Sequence, residues 1–132
     1  MTGDVKTLVS YRIEKAKSTL KDAKILFDAG SYNATINRLY YACFYGVLAL
    51  LQTRNLSSSK HKGVRLLFNK EFVKPGNIDL EWYRFYAKLF DNRQESDYED
   101  FKEFTKEETE QLYKESLNFV KMIDDKLRSY LT

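Results

Sequence analysis

The feature that most constrains the fold is an almost continuous apolar run within residues 32–54. It contains "ACFYGVLALL" at residues 42–51 and leaves few polar faces on a helix. A helix that is apolar on nearly all sides is buried by its neighbours. The apolar stretch is shorter than the roughly 20 residues that a membrane-spanning helix needs. It therefore predicts the central helix of a bundle and no membrane segment.

The rest of the chain has the spacing of amphipathic helices. "KPGN" at residues 74–77 is the clearest helix breaker, Gly30 is a good helix stop, and "TKEE" at residues 105–108 forms a capping box. Apolar side chains recur at steps of three and four in four segments, namely residues 5–29, 60–72, 79–97 and a last one that starts at Thr105. No strand-like alternation competes with these patterns. We predict an all-α, antiparallel up-and-down bundle of four or five helices.

Length and cysteine content indicate one domain in a reducing compartment. The chain has 132 residues, enough to bury a core without cross-links, and we predict a single helical domain over residues 1–132. Cys43 lies in the apolar run, so we interpret it as a buried core residue and not as a nucleophile. One cysteine forms no disulfide within the chain, and the charged first residues do not resemble a secretory signal. These features predict a cytoplasmic protein.

Charge is sorted along the chain. Residues 54–74 carry six cations, among them Lys60 and Lys62, against one acid, whereas residues 91–110 carry nine acids against three cations. A basic segment favours an anionic ligand such as RNA. The alternative is that the two segments face each other within the fold or within a dimer.

Most common catalytic signatures are missing from the sequence. The five glycines are scattered, so no phosphate-binding loop is present, and one histidine with one cysteine cannot complete a tetrahedral zinc site. The acids in "DNRQESDYEDFKEF" are better explained as a solvated acidic loop than as a site for a hard cation. We predict no cofactor and no metal.

Arg54 and His61 remain as candidate catalytic residues. They flank the serine-rich connection between the second and third predicted helices, so both can reach one mouth between helices. An imidazole can take or give a proton near neutral pH, and a guanidinium can hold a phosphate and stabilise added negative charge. Asn55 could add a hydrogen bond. The pair suits phosphodiester cleavage in RNA.

This interpretation requires a second protomer. Attack by a ribose 2′-hydroxyl benefits from both a base and an acid, but each chain has one histidine. A symmetric homodimer would bring two copies of His61 and Arg54 to one groove. The spacing alone favours a simpler alternative, in which Arg54 is a cation at a helix C-terminus and His61 is an ordinary surface residue.

Three segments together resemble the HEPN domain family. They are "AGSYNATINRLYYACFYGVLALL", "SSSKHKGVRLLFNKEFVKPG" and "LFDNRQESDYEDF", and the resemblance covers about residues 12–125. It implies a dimerising helical bundle. Many members are metal-independent RNases whose motif is an arginine, often a polar residue, and then a histidine; Arg54, Asn55 and His61 match this motif. Other members are toxins paired with a small nucleotidyltransferase.

The resemblance also assigns residues outside that motif. Arg93 and Tyr98 match the shared segment "NRQESDY" and are expected to line the same cleft, where Arg93 holds phosphate. An ion pair between Arg93 and Asp97 is the favoured alternative. Gly63 stands where some toxin members carry a tyrosine that their partner modifies, and Tyr45 stands where many relatives have a second histidine.

Aromatic and basic residues also adjoin each other within the second predicted helix. Arg38, Tyr40 and Tyr41 cannot all face one way, so we expect part of this set in the core and part in a groove. Tyrosines beside a basic groove can stack on bases, although core packing is their commoner use.

Two functions follow from these observations. The first is a toxin-like, metal-independent RNase that cuts single-stranded RNA with Arg54 and His61 at a composite dimer site. The second is a non-catalytic nucleotide-binding or adaptor protein that works with a small nucleotidyltransferase.

Overall fold

The computed structural model describes residues 2–98 and 103–131, and their side chains except for those of residues 96–98. Within these ranges the chain forms five α-helices and no strand, which confirms the all-α prediction. The helices are α1 (Gly3–Asp28), α2 (Tyr32–Gln52), α3 (His61–Phe68), α4 (Leu80–Tyr98) and α5 (Lys106–Leu131). A π-helical segment, Asn69–Val73, continues α3.

Helix α2 is the centre of the bundle, as its apolar sequence predicts. It packs against each of the other four α-helices. Ile36, Leu39, Leu50 and Leu51 on this helix are fully buried. By length and composition alone α2 could cross a membrane, but 61% of its most apolar window is buried inside the bundle. This burial is that of a core helix.

The predicted helix ends are formed as the sequence indicates. Gly30 adopts a positive φ of 78°, and its N–H donates to the Phe27 carbonyl while the Ser31 N–H donates to the Leu26 carbonyl. This is the Schellman pattern that satisfies the last carbonyls of a helix. At the start of α5, the Glu108 N–H donates to Thr105 Oγ1 and the Thr105 N–H donates to Glu108 Oε1, which completes the capping box.

The end of α2 uses an asparagine in the same way. Asn55 has a φ of 57°, its N–H donates to the Gln52 carbonyl, and the Leu56 N–H donates to the Leu51 carbonyl. Asparagine tolerates this left-handed conformation better than most residues. The chain therefore reverses at Asn55 and enters the serine-rich connection that leads to His61.

Candidate functional site

His61 is the first residue of α3 and is held against α2 at two points. Its ring stacks on Phe44 at 4.3 Å between centroids and 14° between planes, and its Nδ1 is hydrogen-bonded to the Tyr40 hydroxyl at 2.8 Å. Tyr40 is fully buried, and burial raises the pKa of Tyr40 to about 12. The phenol is therefore protonated at neutral pH. With Nδ1 engaged by Tyr40, Nε2 is the nitrogen that can exchange a proton with a ligand.

Arg93 on α4 lies next to this histidine. Its guanidinium carbon is 5.4 Å from the Tyr40 ring and 5.5 Å from the Tyr41 ring, and its Nη2 donates to the Tyr41 hydroxyl at 3.3 Å. Burial first, and then the charge of Arg93, lowers the pKa of His61. His61 is consequently a neutral imidazole at pH 7, in the form that accepts a proton.

Helix α2 adds a second guanidinium to the same region. The Arg38 guanidinium lies 4.9 Å from the Tyr41 ring, while Nε and Nη2 of Arg38 donate to Asn37 Oδ1. Tyr41 and Arg38 are partly exposed, whereas Tyr40 belongs to the core. Part of this set therefore lies in the core, as expected, and a groove at Arg38 and Tyr41 stays a prediction.

The N-terminus of α3 concentrates positive charge. Lys60 is its N-cap residue, Lys62 follows His61, both lysines are exposed, and the first turn contains no acid. The free N–H groups of a helix N-terminus carry a partial positive charge that favours anions. An anion at this end of α3 would lie beside His61.

Arg54 makes a separate set of contacts with the π-helical segment that follows α3. Its guanidinium lies 4.0 Å from the Phe72 ring, and its Nη1 donates to the Glu71 carbonyl. In a continuing α-helix that carbonyl would accept from residue 75, but Pro75 has no N–H. Arg54 therefore satisfies a carbonyl that the proline leaves open, and none of its described contacts is shared with His61.

Asn55 also has a structural role. Besides reversing the chain at the end of α2, its Oδ1 accepts a hydrogen bond from Gln52 Nε2 at 3.5 Å. A hydrogen bond from Asn55 to a ligand stays a prediction.

The connection between the two candidate residues is packed tightly at Gly63. A Cβ atom on Gly63 would lie 2.1 Å from Ser58 Oγ and 2.9 Å from Ser58 Cβ. Ser58 Oγ also accepts a hydrogen bond from the Lys60 N–H at 3.3 Å. In this structure a side chain at position 63, such as the modifiable tyrosine of some toxin members, requires Ser58 to move.

The remaining residues named from the sequence are either outside the described side chains or packed against other residues. Tyr98 ends α4, but its side chain and that of Asp97 lie outside the described part, so neither the Tyr98 contact nor the Arg93–Asp97 ion pair is described. Tyr45 packs against Tyr41 and Phe44. Cys43 is fully buried, and burial raises the pKa of its thiol to about 12, as expected for a core residue.

Metal-ligating side chains do not cluster in the residues that the structure describes. No three His, Cys, Asp or Glu side chains there form a group that could hold a metal ion. The acidic segment over residues 91–110 is only partly covered, because residues 99–102 lie outside the described ranges. The predicted absence of a metal and the predicted contact between the acidic and basic segments therefore stay predictions.

Two neighbours of His61 were not predicted as its partners. Tyr40 and Phe44 are one helical turn apart on α2, so they share a face, and both contact the imidazole. The four-residue spacing of these aromatic residues is visible in the sequence. What it does not reveal is that the first residue of α3 packs against that face.

Comparison with known proteins identifies relatives over nearly the whole chain. The HEPN domain family matches residues 9–126. A "UPF0332 protein" of Thermotoga maritima is 37% identical over 126 residues, which is 92% of this chain and 96% of that protein. A Methanocaldococcus jannaschii protein named "Putative toxin MJ0605" is 37% identical over 97% of this chain and 95% of its own length. A second one, "Putative toxin MJ0142", is 38% identical over 76% of this chain and 68% of its own length.

These matches agree with the resemblance found in the sequence and with the five-helix bundle. The family match covers well over half of the chain, and it includes α2, the connection, His61 and Arg93. The chain therefore belongs to the HEPN domain family.

Proposed function

We propose that this chain is a toxin-like endoribonuclease that cleaves single-stranded RNA in the cytoplasm without a metal ion. The observation that carries the proposal is the arrangement of His61, a neutral imidazole fixed through Nδ1 by a buried phenol and placed beside Arg93. The names of two relatives, which contain the word toxin, support the biological role.

The reaction requires two proton transfers. The ribose 2′-oxygen attacks phosphorus, the bond from phosphorus to the 5′-oxygen breaks, and a 2′,3′-cyclic phosphate and a 5′-hydroxyl form. His61 Nε2 accepts the proton of the 2′-hydroxyl in the tautomer whose Nδ1–H donates to the Tyr40 hydroxyl oxygen. The departing 5′-oxygen takes a proton from the partner subunit's His61 in its imidazolium form, since the chain has no second histidine. One of the two imidazoles must be neutral and the other protonated at the start, and the reaction exchanges these two states. The active form in this proposal is a homodimer.

Arg93 is the cation that the geometry favours for the phosphate. It already lies against the tyrosines that contact His61, and Lys60 and Lys62, which flank His61 at the N-terminus of α3, add positive charge next to the histidine in the chain. A guanidinium placed at the reacting phosphate stabilises the charge that develops on its oxygens. In this structure Arg54 already donates from Nη1 to the Glu71 carbonyl, and it shares no described contact with His61. Its role as phosphate clamp stays a prediction.

A phosphate would also tune the histidine. In the free protein, the charge of Arg93 lowers the pKa of His61. A bound phosphodiester adds a negative charge beside both groups, which offsets that effect and makes His61 a stronger base.

The test is cleavage of an end-labelled single-stranded RNA in the presence of EDTA. Wild-type protein should cut, and the product should end in a 2′,3′-cyclic phosphate. The His61→Asn variant should lose about 100-fold to 10,000-fold in rate, the usual contribution of a positioned acid or base. Its melting temperature shows whether the variant is still folded. Light scattering on the wild type should give the mass of a dimer.

Three results contradict the proposal: cleavage that EDTA abolishes and a divalent cation restores, unchanged cleavage in folded His61→Asn, or a strict monomer that still cuts. Intact RNA together with binding of a mononucleotide, or co-purification of a nucleotidyltransferase with an inactive chain, supports the non-catalytic adaptor function instead.

A further inference from the structure

Aromatic side chains continue away from His61 along the partly exposed face of α2. The Tyr41 ring meets the His61 ring edge-on at 5.6 Å, and the Tyr45 ring lies 6.1 Å from Tyr41. These two tyrosines are one helical turn apart, so they lie on one face of α2. Both are partly exposed, unlike Tyr40.

The series continues onto α1 through a lysine. Lys15 Nζ lies 4.6 Å from the centroid of the Tyr45 ring and 6.0 Å from that of Tyr11. Tyr11 is 61% exposed, so most of its side chain is open to solvent. Each residue from His61 through Tyr41, Tyr45 and Lys15 to Tyr11 therefore contacts the next one. We call the last four of these residues the aromatic track.

The cations along the aromatic track have no acidic partners in the described part of the chain. Lys15 and Arg38 contact tyrosine rings, and no ion pair with a carboxylate is formed by either. The opposite side of α1 differs, because Lys17 contacts both Glu14 and Asp124. Along this face, uncompensated positive charge and partly exposed aromatic rings therefore occur together.

This combination fits one class of ligand. Single-stranded RNA presents base faces that stack on aromatic rings, and phosphates that bind lysine and arginine, while duplex RNA hides its base faces. We propose that the aromatic track binds the unpaired nucleotides that extend from the cleaved phosphodiester, with bases on Tyr45 and Tyr11 and phosphate on Lys15. This inference rests on the proposed function, since it takes His61 as the cleavage centre.

The first experiment measures binding without cleavage. The probe is a labelled single-stranded oligonucleotide of about eight residues, within the range that one single-strand-binding module covers. Every 2′-hydroxyl in it is methylated, so no 2′-oxygen can attack. We expect Tyr45→Leu and Tyr11→Ser each to weaken binding by about fivefold or more, as the loss of one base stack does. Lys15→Gln should weaken binding and reduce its dependence on salt.

The far end of α1 offers matched controls. Lys24 lies 5.5 Å from the Phe27 ring and 6.0 Å from the Tyr113 ring, but it also contacts Asp28 at 2.8 Å. Lys24→Gln therefore removes a lysine that also lies near two aromatic rings but whose charge is compensated by Asp28. Ile25 is 67% exposed, so Ile25→Ser removes an exposed apolar side chain comparable to Tyr11. Neither control should change RNA affinity.

The second experiment separates the aromatic track from the cleavage centre. Tyr45→Leu, Tyr11→Ser and Lys15→Gln should each raise KM for a long single-stranded RNA and leave cleavage of a dinucleotide unchanged, because a dinucleotide does not extend beyond His61. If the wild type binds the methylated probe through the track but cuts no RNA, the track is supported and the proposed function fails.

Other outcomes overturn the inference. The track is not an RNA site if its three variants bind the methylated probe as tightly as the wild type, or if a duplex of the same sequence binds equally well. If the variants convert a dimer into monomers without changing RNA affinity, the face is covered by a second copy of the chain.

Discussion

Arg54 and Arg93 make the same types of contact, but with residues in different parts of the fold. The guanidinium of Arg54 and that of Arg93 each lie against an aromatic ring and donate to an oxygen. For Arg54 the ring is the core residue Phe72, and the oxygen is a helix-terminal carbonyl. For Arg93 the rings are tyrosines that also contact His61.

The difference shows that a short distance from His61 along the chain does not imply a contact with His61 in the fold. Arg54 is seven positions before His61 in the chain, yet its contacts satisfy a carbonyl that Pro75 cannot. Arg93 is much farther along the chain, but α4 brings it beside the histidine and its charge lowers the pKa of that histidine. Within one protomer, Arg93 is the arginine that shares tyrosine contacts with His61.

The largest expected effect comes from replacing each of these two arginines in turn with glutamine. Arg93→Gln should lower the rate of RNA cleavage by about 100-fold to 1,000-fold, the usual loss when a donor to a developing anion is removed. Arg54→Gln should leave the rate close to that of the wild type and instead lower the free energy of unfolding by about 1 kcal/mol, since the Glu71 carbonyl loses its donor. Single-turnover cleavage and urea unfolding measure the two quantities.

Arg84→Gln is the matched control, because Arg84 is an exposed arginine on the same helix as Arg93. The reverse pattern, with cleavage lost in folded Arg54→Gln and kept in Arg93→Gln, would show that the sequence motif outweighs the contacts within one protomer. In that case Arg54 contacts the phosphate across the dimer or through donors other than the Nη1 group that binds Glu71.

The connection between the two regions gives the next prediction. Gly63→Ala should lower the free energy of unfolding by about 2 kcal/mol, because the new Cβ overlaps Ser58 and forces the connection to shift. Ser58→Gly removes both atoms that the new Cβ would meet, so the double variant should recover most of the loss. Urea unfolding of the wild type, the two single variants and the double variant measures this coupling.

If Gly63→Ala is as stable as the wild type, the connection moves freely and does not fix His61. If Ser58→Gly fails to rescue Gly63→Ala, the contact between positions 58 and 63 is not the cause of the loss.

Helices and caps could be predicted because their causes are local. The apolar spacing that placed the helices, the glycine at residue 30 and the box at Thr105–Glu108 each depend on residues a few positions apart. The family resemblance added Arg93 to the candidate residues in the same way, from a short segment of sequence.

The details of the site could not be predicted because their causes are tertiary. Which tyrosine bonds His61 depends on the rotation of α2 relative to α3, and only the packed structure selects Tyr40. The use of Arg54 at the Glu71 carbonyl depends on where the end of α2 meets the turn before Pro75. Even the third helix, predicted as continuous over residues 60–72, changes to a π-helical segment at Asn69.

A smaller effect is expected at Asn55, between the two regions. Asn55→Ala should lower the free energy of unfolding by about 1 kcal/mol, since alanine is strained at a φ of 57°. Asn55→Gly adopts that conformation without strain and should be at least as stable as the wild type. Comparing RNA affinity in the wild type and in Asn55→Gly then isolates the side chain.

Equal RNA affinity in wild type and Asn55→Gly would leave Asn55 with only its helix-ending role. A loss of affinity in the stable glycine variant would instead support the predicted hydrogen bond from Asn55 to the ligand.

The smallest expected effect is the pH dependence of stability that His61 contributes. Because burial and Arg93 lower the pKa of His61, the folded state binds fewer protons than the unfolded state just below the ordinary histidine pKa of about 6.5. The free energy of unfolding should therefore fall as pH drops from about 6.5 toward the lowered pKa, with a slope of less than one proton, and become independent of this group below it. Urea unfolding over this range measures the slope.

His61→Gln should remove this slope, while Arg93→Gln should reduce it by raising the pKa of His61. An unchanged slope in Arg93→Gln would mean that burial alone sets this pKa, and that Arg93 and His61 are neighbours without electrostatic coupling.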